Sequence, residues 1–305
     1  HGHADHARAG HEHVIATLET LEIMKERYGS DFCKKSTELK YHEKLIIEEV
    51  EIFLAPAGHV LGSAQVVMNF ANQVITVSGD YKRQDDPTCA AFEPIKSDIF
   101  ITEATFALPV FKHPNANTQI NLLIKSIQNF PERCHVIGVY SLGKAQRLIK
   151  MLRNNGWYNT IYLHGSLVKI CNLYEKFGID LGDLEPATIQ DKPMKPHDFY
   201  KGKLILAPPS ALADRWSRRF PDPILGMASG WMTVKQRAKQ RGINLPLILS
   251  DHADWNEILT TIKEVSPKEV WITHGAEEAL IYECSKNNLT AKALSIIGYE
   301  SDTDL

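Results

Sequence analysis

The chain has 305 residues, 44% hydrophobic and 23% charged, with a formal net charge of −3 and a pI near 6.5. That balance belongs to a globular chain long enough for one large domain or two smaller ones, and it excludes wholesale disorder. No run of about 18 apolar residues occurs, which excludes a membrane-spanning helix, and no secretory signal is visible.

In chain order, the apolar spacing over 14–28 (VIATLETLEIMKERY) predicts a helix, and the alternation over 45–54 (LIIEEVEIFL) predicts a strand. QVVMNF (65–70) and QVITVSGD (73–80) predict a hairpin across Ala71-Asn72, the second strand running into Gly79-Asp80. SDIFITEATF (97–106) predicts a buried strand ending on an acid, Glu103. Beyond residue 117 helices and strands alternate: helix 118–129, strand 135–140, helix 142–154, strand 159–164, helix 166–177, then strands 202–209 and 246–252. Helix 255–264, strand 269–274 and helix 276–286 close the chain. Repeated β-α-β with short links predicts a parallel sheet covered by helices. The middle third reads as a second α/β unit inserted into the first. Five dispersed cysteines without a CxxC pair predict unpaired thiols in a reducing compartment, the cytoplasm, and argue against a cysteine-based zinc site.

Thirteen histidines are the unusual count, and three fall in the first six residues, HGHADH. Alternating Gly, Ala and Asp are unlike the unbroken run of a purification tag. An H-x-H pair on extended backbone turns both imidazoles to one side, so His1 and His3 can reach one metal. Asp5 and His6 follow at a turn and can reach a second. AGHVLG places His59 between glycines, SGDYK places Asp80 directly after a strand, and WITHG places His274 at a strand end. Counting ligands gives His1, His3, His59 and Asp80 for one ion and Asp5, His6, His274 and Asp80 for the other. A shared carboxylate offsets the charge of two cations. Nitrogen and oxygen donors of this kind suit zinc, with manganese or iron as alternatives.

HxHxDH, a lone His, Gly-Asp and a late His together resemble the metallo-β-lactamase superfamily. ITEATF with Glu103, SDHADW with His252 and THG with His274 resemble the three extra motifs of its β-CASP branch, which includes Artemis-type DNA nucleases and the cleavage and polyadenylation endonuclease subunit. DPTC, FEP, LPVF.HP and PPSALADRW are similar to the bacterial DNA ligase-associated exonuclease group, and the likeness covers nearly the whole chain.

The resemblance implies an αββα metallo-β-lactamase sandwich over 1–111 and 247–305, with an α/β β-CASP cap over 112–246 and the active site between them. It also implies strands upstream of HGHADH, so that His1 is the first residue of a trimmed chain. Two zinc ions would hold a hydroxide that attacks a phosphodiester in line. His252 would be the general acid, oriented by Glu103, with Asp251 or Asp254 as helper; Asp5 completes the catalytic set. The expected activity is metal-dependent hydrolysis of DNA, exonucleolytic and acting in repair beside an ATP-dependent DNA ligase and a helicase. An RNA-processing nuclease of the same branch and a small-molecule metallo-hydrolase are the rival readings.

For substrate grip, YSLGKAQRLI reads as strand, tight turn and helix start. Backbone N–H groups from Ser141 through Gly143 to Ala145, with Lys144, would cradle a phosphate. Arg215, Arg218 and Arg219, with the bases of 235–241 and the interleaved Trp216 and Trp231, fit single-stranded nucleic acid. The other reading of this segment is a solvated basic helix face with core tryptophans. Lys82, Arg83, Lys112 and His113 are expected at the cleft mouth.

Overall fold

A computed structural model of the chain describes residues 1–188, 196–220 and 222–296. It begins with a βαβ unit: β1 (His11–Ala16), α1 (Leu18–Tyr28) and β2 (Cys33–Glu38), the two strands pairing in parallel. The helix expected over 14–28 therefore starts late. Val14 and Ile15 lie in β1, as β-branched residues favour. Thr17 caps α1 by accepting a hydrogen bond from the Thr20 N–H.

An antiparallel meander follows: β3 (Leu45–Ile47), β4 (Val50–Pro56), β5 (Ala64–Phe70) and β6 (Gln73–Val77). The single strand expected over 45–54 is in fact a hairpin, because Glu48 takes φ 55° and Ile47 pairs with Val50. The hairpin across Ala71 and Asn72 forms as expected, with both residues at positive φ in a two-residue turn. β7 (Ile99–Ala104) then adds in parallel beside β6.

The middle of the chain alternates: α2 (Ala116–Asn129), β8 (His135–Gly138), α3 (Lys144–Asn154), β9 (Ile161–Leu163), α4 (Gly165–Lys176), β10 (Leu184–Pro186), the short α5 (Pro196–Phe199), β11 (Leu204–Ala207), β12 (Ile224–Ala228), α6 (Lys235–Gln240) and β13 (Leu245–Leu247). Its strands form the expected parallel sheet, in the order β10-β9-β11-β8-β12-β13. The strand expected over 246–252 ends at Leu247, and residues 248–252 leave the sheet. α7 (Trp255–Val265), β14 (Glu269–Gly275), α8 (Glu277–Lys286) and β15 (Thr290–Ala293) return the chain to the first sheet, whose order is β15-β14-β7-β6-β5-β4-β3. β2, β10, β12 and β15 were not anticipated from periodicity; each has six residues or fewer. Within the segments expected as 112–246 and 247–305, residues 189–195, 221 and 297–305 lie outside the described residues.

The architecture is α/β. The largest apolar core lies under α2, α3 and α4 against the parallel sheet, and it takes in Ile23 of α1 and Leu61, so the two sheets share buried surface. A second core packs α7 and α8 onto β7 and β14. In parallel sheets the functional groups collect beyond the C-terminal strand ends. That edge carries Tyr140 after β8, Trp231 after β12 and Asp251 after β13, and it faces the ends of β6, β7 and β14.

Candidate metal centre

A cleft of about 340 Å³ opens there, lined by His3, Asp5, His59, Asp80, His252 and His274 among others. Residues 3–7 form a turn in which the His3 carbonyl accepts from the His6 and Ala7 N–H groups. This closes the HGHADH segment on itself. Gly58 sits at φ 70°, and a Cβ there would lie 2.4 Å from the Lys82 carbonyl, so only glycine lets the His59 loop pack against the segment that follows Asp80. His274 is itself held at φ 60°, at the point where β14 breaks register with β7.

Asp80 Oδ2 lies 3.2 Å from His1 Nε2, 3.5 Å from His6 Nε2 and 3.7 Å from His59 Nε2. His59 Nε2 is 3.1 Å from His3 Nδ1. One donor atom each from His1, His3, His59 and Asp80 fall within 4.8 Å of one another, as do donors from Asp5, His6 and His274. The first group has the four residues counted in the sequence; the second lacks Asp80, whose Oδ2 comes within 3.5 Å of His6. The group on His59 is buried to half-buried and the group on Asp5 is exposed.

These spacings fit metal. Ligands about 2.0–2.1 Å from a tetrahedral zinc sit roughly 3.4 Å apart. Asp80 Oδ1 is buried and, among the described residues, has no hydrogen-bond partner. Buried polar atoms are normally paired, so such an orphan calls for a ligand or ion. Burial, with the neighbouring imidazole His1, pulls His3 down to about 4, and burial and the surrounding imidazoles hold His59 well below its ordinary value. His6 is lowered by burial and by His1. Burial would raise the Asp80 carboxyl, but contact with His1 and the charges of His252, His1 and His6 outweigh it and keep it ionised. Neutral imidazoles, the form burial favours at His3 and His59, beside an ionised carboxylate are the protonation state that ligates a cation.

Beside this cluster, Glu103 is 2% exposed and His252 Nδ1 approaches its two oxygens at 3.1 and 2.9 Å. The Tyr81 N–H and the Thr105 hydroxyl also donate to Glu103. Burial lowers His252, but the Glu103 charge and hydrogen bond, with Asp80 behind them, raise it above its ordinary value. With Nδ1 committed to Glu103, Nε2 is the ring nitrogen left for the cleft that His252 lines. Of the proposed helpers, Asp254 caps α7 and accepts the His113 N–H, which uses its carboxylate. Asp251 is taken up by Lys144 at 3.0 Å and Arg147 at 3.5 Å.

The expected phosphate cradle is bonded inward. Gly143 N–H donates to Gln146 Oε1, Lys144 N–H to the Leu142 carbonyl and Ala145 N–H to the Tyr140 carbonyl, while Ser141 gives its carbonyl to Gln146. Lys144 and Tyr140 still line the cleft. Arg215 and Arg218 are exposed and Arg219 folds over Trp216, 5.2 Å from its ring centroid. These three follow β11 on the same sheet edge as Tyr140, outside the cleft lining. The cleft-mouth expectation is corrected: Lys82 is buried on Asp86 at 2.6 Å, Arg83 pairs with Glu264, His113 packs on Phe106, and neither they nor Lys112 line the cleft.

Periodicity did not reveal the buried charge chain Lys82–Asp86–Arg147–Asp251–Lys144 behind the site. Its one sequence signal was Lys144 and Arg147 three residues apart on α3, which share a helix face. Three cations face Asp251 and hold its carboxyl at about 2 against the raising effect of burial. Burial also lowers Lys144, but an ammonium 3.0 Å from an ionised carboxylate keeps its proton.

Residues 246–285, which contain Asp251, His252 and His274, match the family described as "Zn-dependent metallo-hydrolase RNA specificity domain". The chain is 25% identical over 307 residues to a probable DNA ligase of Opitutus terrae, covering 96% of this chain and 28% of that protein. It is 32% identical over 169 residues to cleavage and polyadenylation specificity factor 73 of Drosophila melanogaster, covering 52% of this chain and 23% of that one. The chain thus spans about a quarter of the length of these relatives. Among solved structures, a protein of unknown function from Enterococcus faecalis shares the fold, with TM-score 0.63 and 14% identity over 96% of this chain and 77% of that one.

Proposed function

We propose, on the premise that the chain belongs to the β-CASP branch of the metallo-β-lactamase superfamily, that it hydrolyses phosphodiester bonds of single-stranded DNA from an end, as a metal-dependent exonuclease. The observation that carries the reading is the adjacency of the Asp80 imidazole cluster and the Glu103–His252 pair in one cleft. His1, His3, His59 and Asp80 would hold one divalent ion, and Asp5, His6, His274 and Asp80 a second, zinc on donor type with manganese as alternative. Bound there, the ions supply an activated water and neutralise charge on the phosphate.

The chain's own residues do the rest. Asp80 keeps its charge and orders the imidazoles. Glu103 fixes the His252 ring and favours its protonated form, so that Nε2 gives a proton to the departing sugar oxygen. Lys144 presents an ammonium at the cleft wall. Arg215, Arg218 and Arg219 continue the sheet edge as contacts for more distant phosphates. The division into 1–111 with 247–305, and 112–246 as a cap, is part of the proposal, supported by the strand membership of the two larger sheets, β3–β7 with β14 and β15 in one and β8–β13 in the other.

DNA is favoured because the match to the probable DNA ligase runs over 96% of the chain. That name also supports a ligase as partner; the helicase rests on the family resemblance. Five unpaired cysteines support a cytoplasmic setting, and no helix among the described residues is long and apolar enough to cross a membrane. A second reading, an RNA-processing nuclease, is favoured by the RNA specificity description over 246–285 and by the Drosophila relative. Cleavage of matched DNA and RNA single strands by the zinc- or manganese-loaded protein separates the two. Faster DNA cleavage is expected, and faster RNA cleavage would replace the first reading by the second.

A further inference from the structure

We infer that the open pocket beyond Trp231, adjoining the metal cleft, binds the nucleobase next to the scissile phosphate; this rests on the nuclease reading above. The pocket has a volume of about 680 Å³, and it shares Thr105, Trp231 and His274 with the cleft. A strand whose phosphate lies at the metal ligands therefore has its adjacent sugar and base directed along a continuous wall. The two hollows differ in chemistry. The cleft carries the imidazoles and carboxylates beside Phe106, Tyr140 and Trp231, whereas the pocket is walled mainly by Leu108, Phe111, Trp231 and Val234. A charged phosphate joined to a flat, largely apolar base matches that division.

The aromatic wall is prepositioned. Trp231 stands 4.8 Å from Phe106 and 5.2 Å from Phe111, centroid to centroid, the latter edge-on at 87°. Its indole is half-buried, and the exposed Arg237 guanidinium lies 4.1 Å from the ring centroid. A base entering the pocket gains stacking on the indole and a cation beside the following phosphate. The wall is mainly apolar and aromatic, which suits any of the four bases. The pocket thus requires a base without selecting one.

The test uses single strands in which the nucleotide flanking the scissile phosphate is either intact or abasic. Metal-loaded wild-type protein is expected to show a KM about tenfold or more higher on the abasic strand, with kcat little changed. Trp231→Ala should lose that discrimination, and so should Trp231→Leu, which keeps apolar bulk and guards against misfolding. Arg237→Gln should weaken it, and all three should retain wild-type metal content. Equal KM for both strands in wild type, or full discrimination in the tryptophan variants, would overturn the inference. So would a dimer in light scattering that Leu108→Glu dissolves, with abasic strands cut normally, since the pocket would then belong to a second copy. Absence of cleavage of either strand would instead overturn the nuclease reading itself.

Discussion

The ring of His59 is fixed by the backbone of Asp251: its Nδ1 donates to the Asp251 carbonyl oxygen at 2.7 Å. A carbonyl only accepts, so Nδ1 carries the proton and Nε2 keeps its lone pair facing Asp80 and His3. The same logic applies to His3, whose Nε2 donates to the Leu142 carbonyl at 3.2 Å and leaves Nδ1 free to ligate. Both carbonyls come from the segments that border the parallel sheet, one after β13 and one before α3. Partners of this kind set the tautomer and aim of metal-binding histidines.

Asp251 is therefore expected to matter through what holds it. Its side chain is 3% exposed and is clamped by Lys144 and Arg147, which is wholly buried. Asp251→Asn leaves two buried cations short of a partner and should lower unfolding stability by about 3–5 kcal/mol in urea titration. It should also weaken metal binding by about 10–100-fold, through misplacement of His59. Wild-type stability and metal affinity would contradict this.

Asp80 lies between both ligand groups, so its loss should reach both ions. Asp80→Asn is expected to bring bound metal, counted by elemental analysis, from two ions per chain to one or fewer. Chelation of wild type should lower its melting temperature, because metal bound only by the folded state adds to stability. Two ions retained by Asp80→Asn would remove the carboxylate from the shell.

Glu103 acts through His252. Glu103→Gln keeps the shape and the Tyr81 contact but removes the charge that favours protonated His252. Cleavage should fall by about 10²–10⁴-fold with metal content unchanged. An unchanged rate would place the proton donor elsewhere.

His135, at the start of β8, is 0% exposed, and its Nε2 meets the Ser126 hydroxyl at 2.9 Å while Nδ1 is buried without a partner among the described residues. Burial depresses it to about 4. Below pH about 6.5 the unfolded chain takes up a proton that the folded chain refuses, so stability falls as the pH drops from about 6.5 to 4. His135→Gln, which does not titrate, should flatten the pH dependence of stability over that window by on the order of 1–3 kcal/mol. A pH dependence equal to that of wild type would contradict the assignment.

Most of the residues gathered at the candidate site were legible because they lie in short motifs beside turns. HGHADH, Gly-Asp at 79–80 and the His-Gly at 274–275 each combine ligand chemistry with a turn. The errors have local causes. Glu48 turns a hairpin at φ 55° with no Gly or Asn to announce it, and Val14-Ile15 blended into the helical spacing of α1. The sequence reading placed Lys144 at a phosphate but missed its partner Asp251, which folding brings to it from 107 residues away in the chain. Long-range charge pairing of that kind leaves no periodic trace. Leu225, Met227 and the glycine between them in β12 were too few to stand out within a basic segment.

The most direct measurement is digestion of end-labelled single-stranded DNA by wild type, Asp80→Ala and His252→Ala, each with counted metal. The expected result is metal-dependent release of labelled products by wild type, abolished by Asp80→Ala together with its metal, and strongly reduced by His252→Ala with metal retained. Undiminished cleavage by both variants, or cleavage by wild type that survives complete removal of metal, would contradict the account.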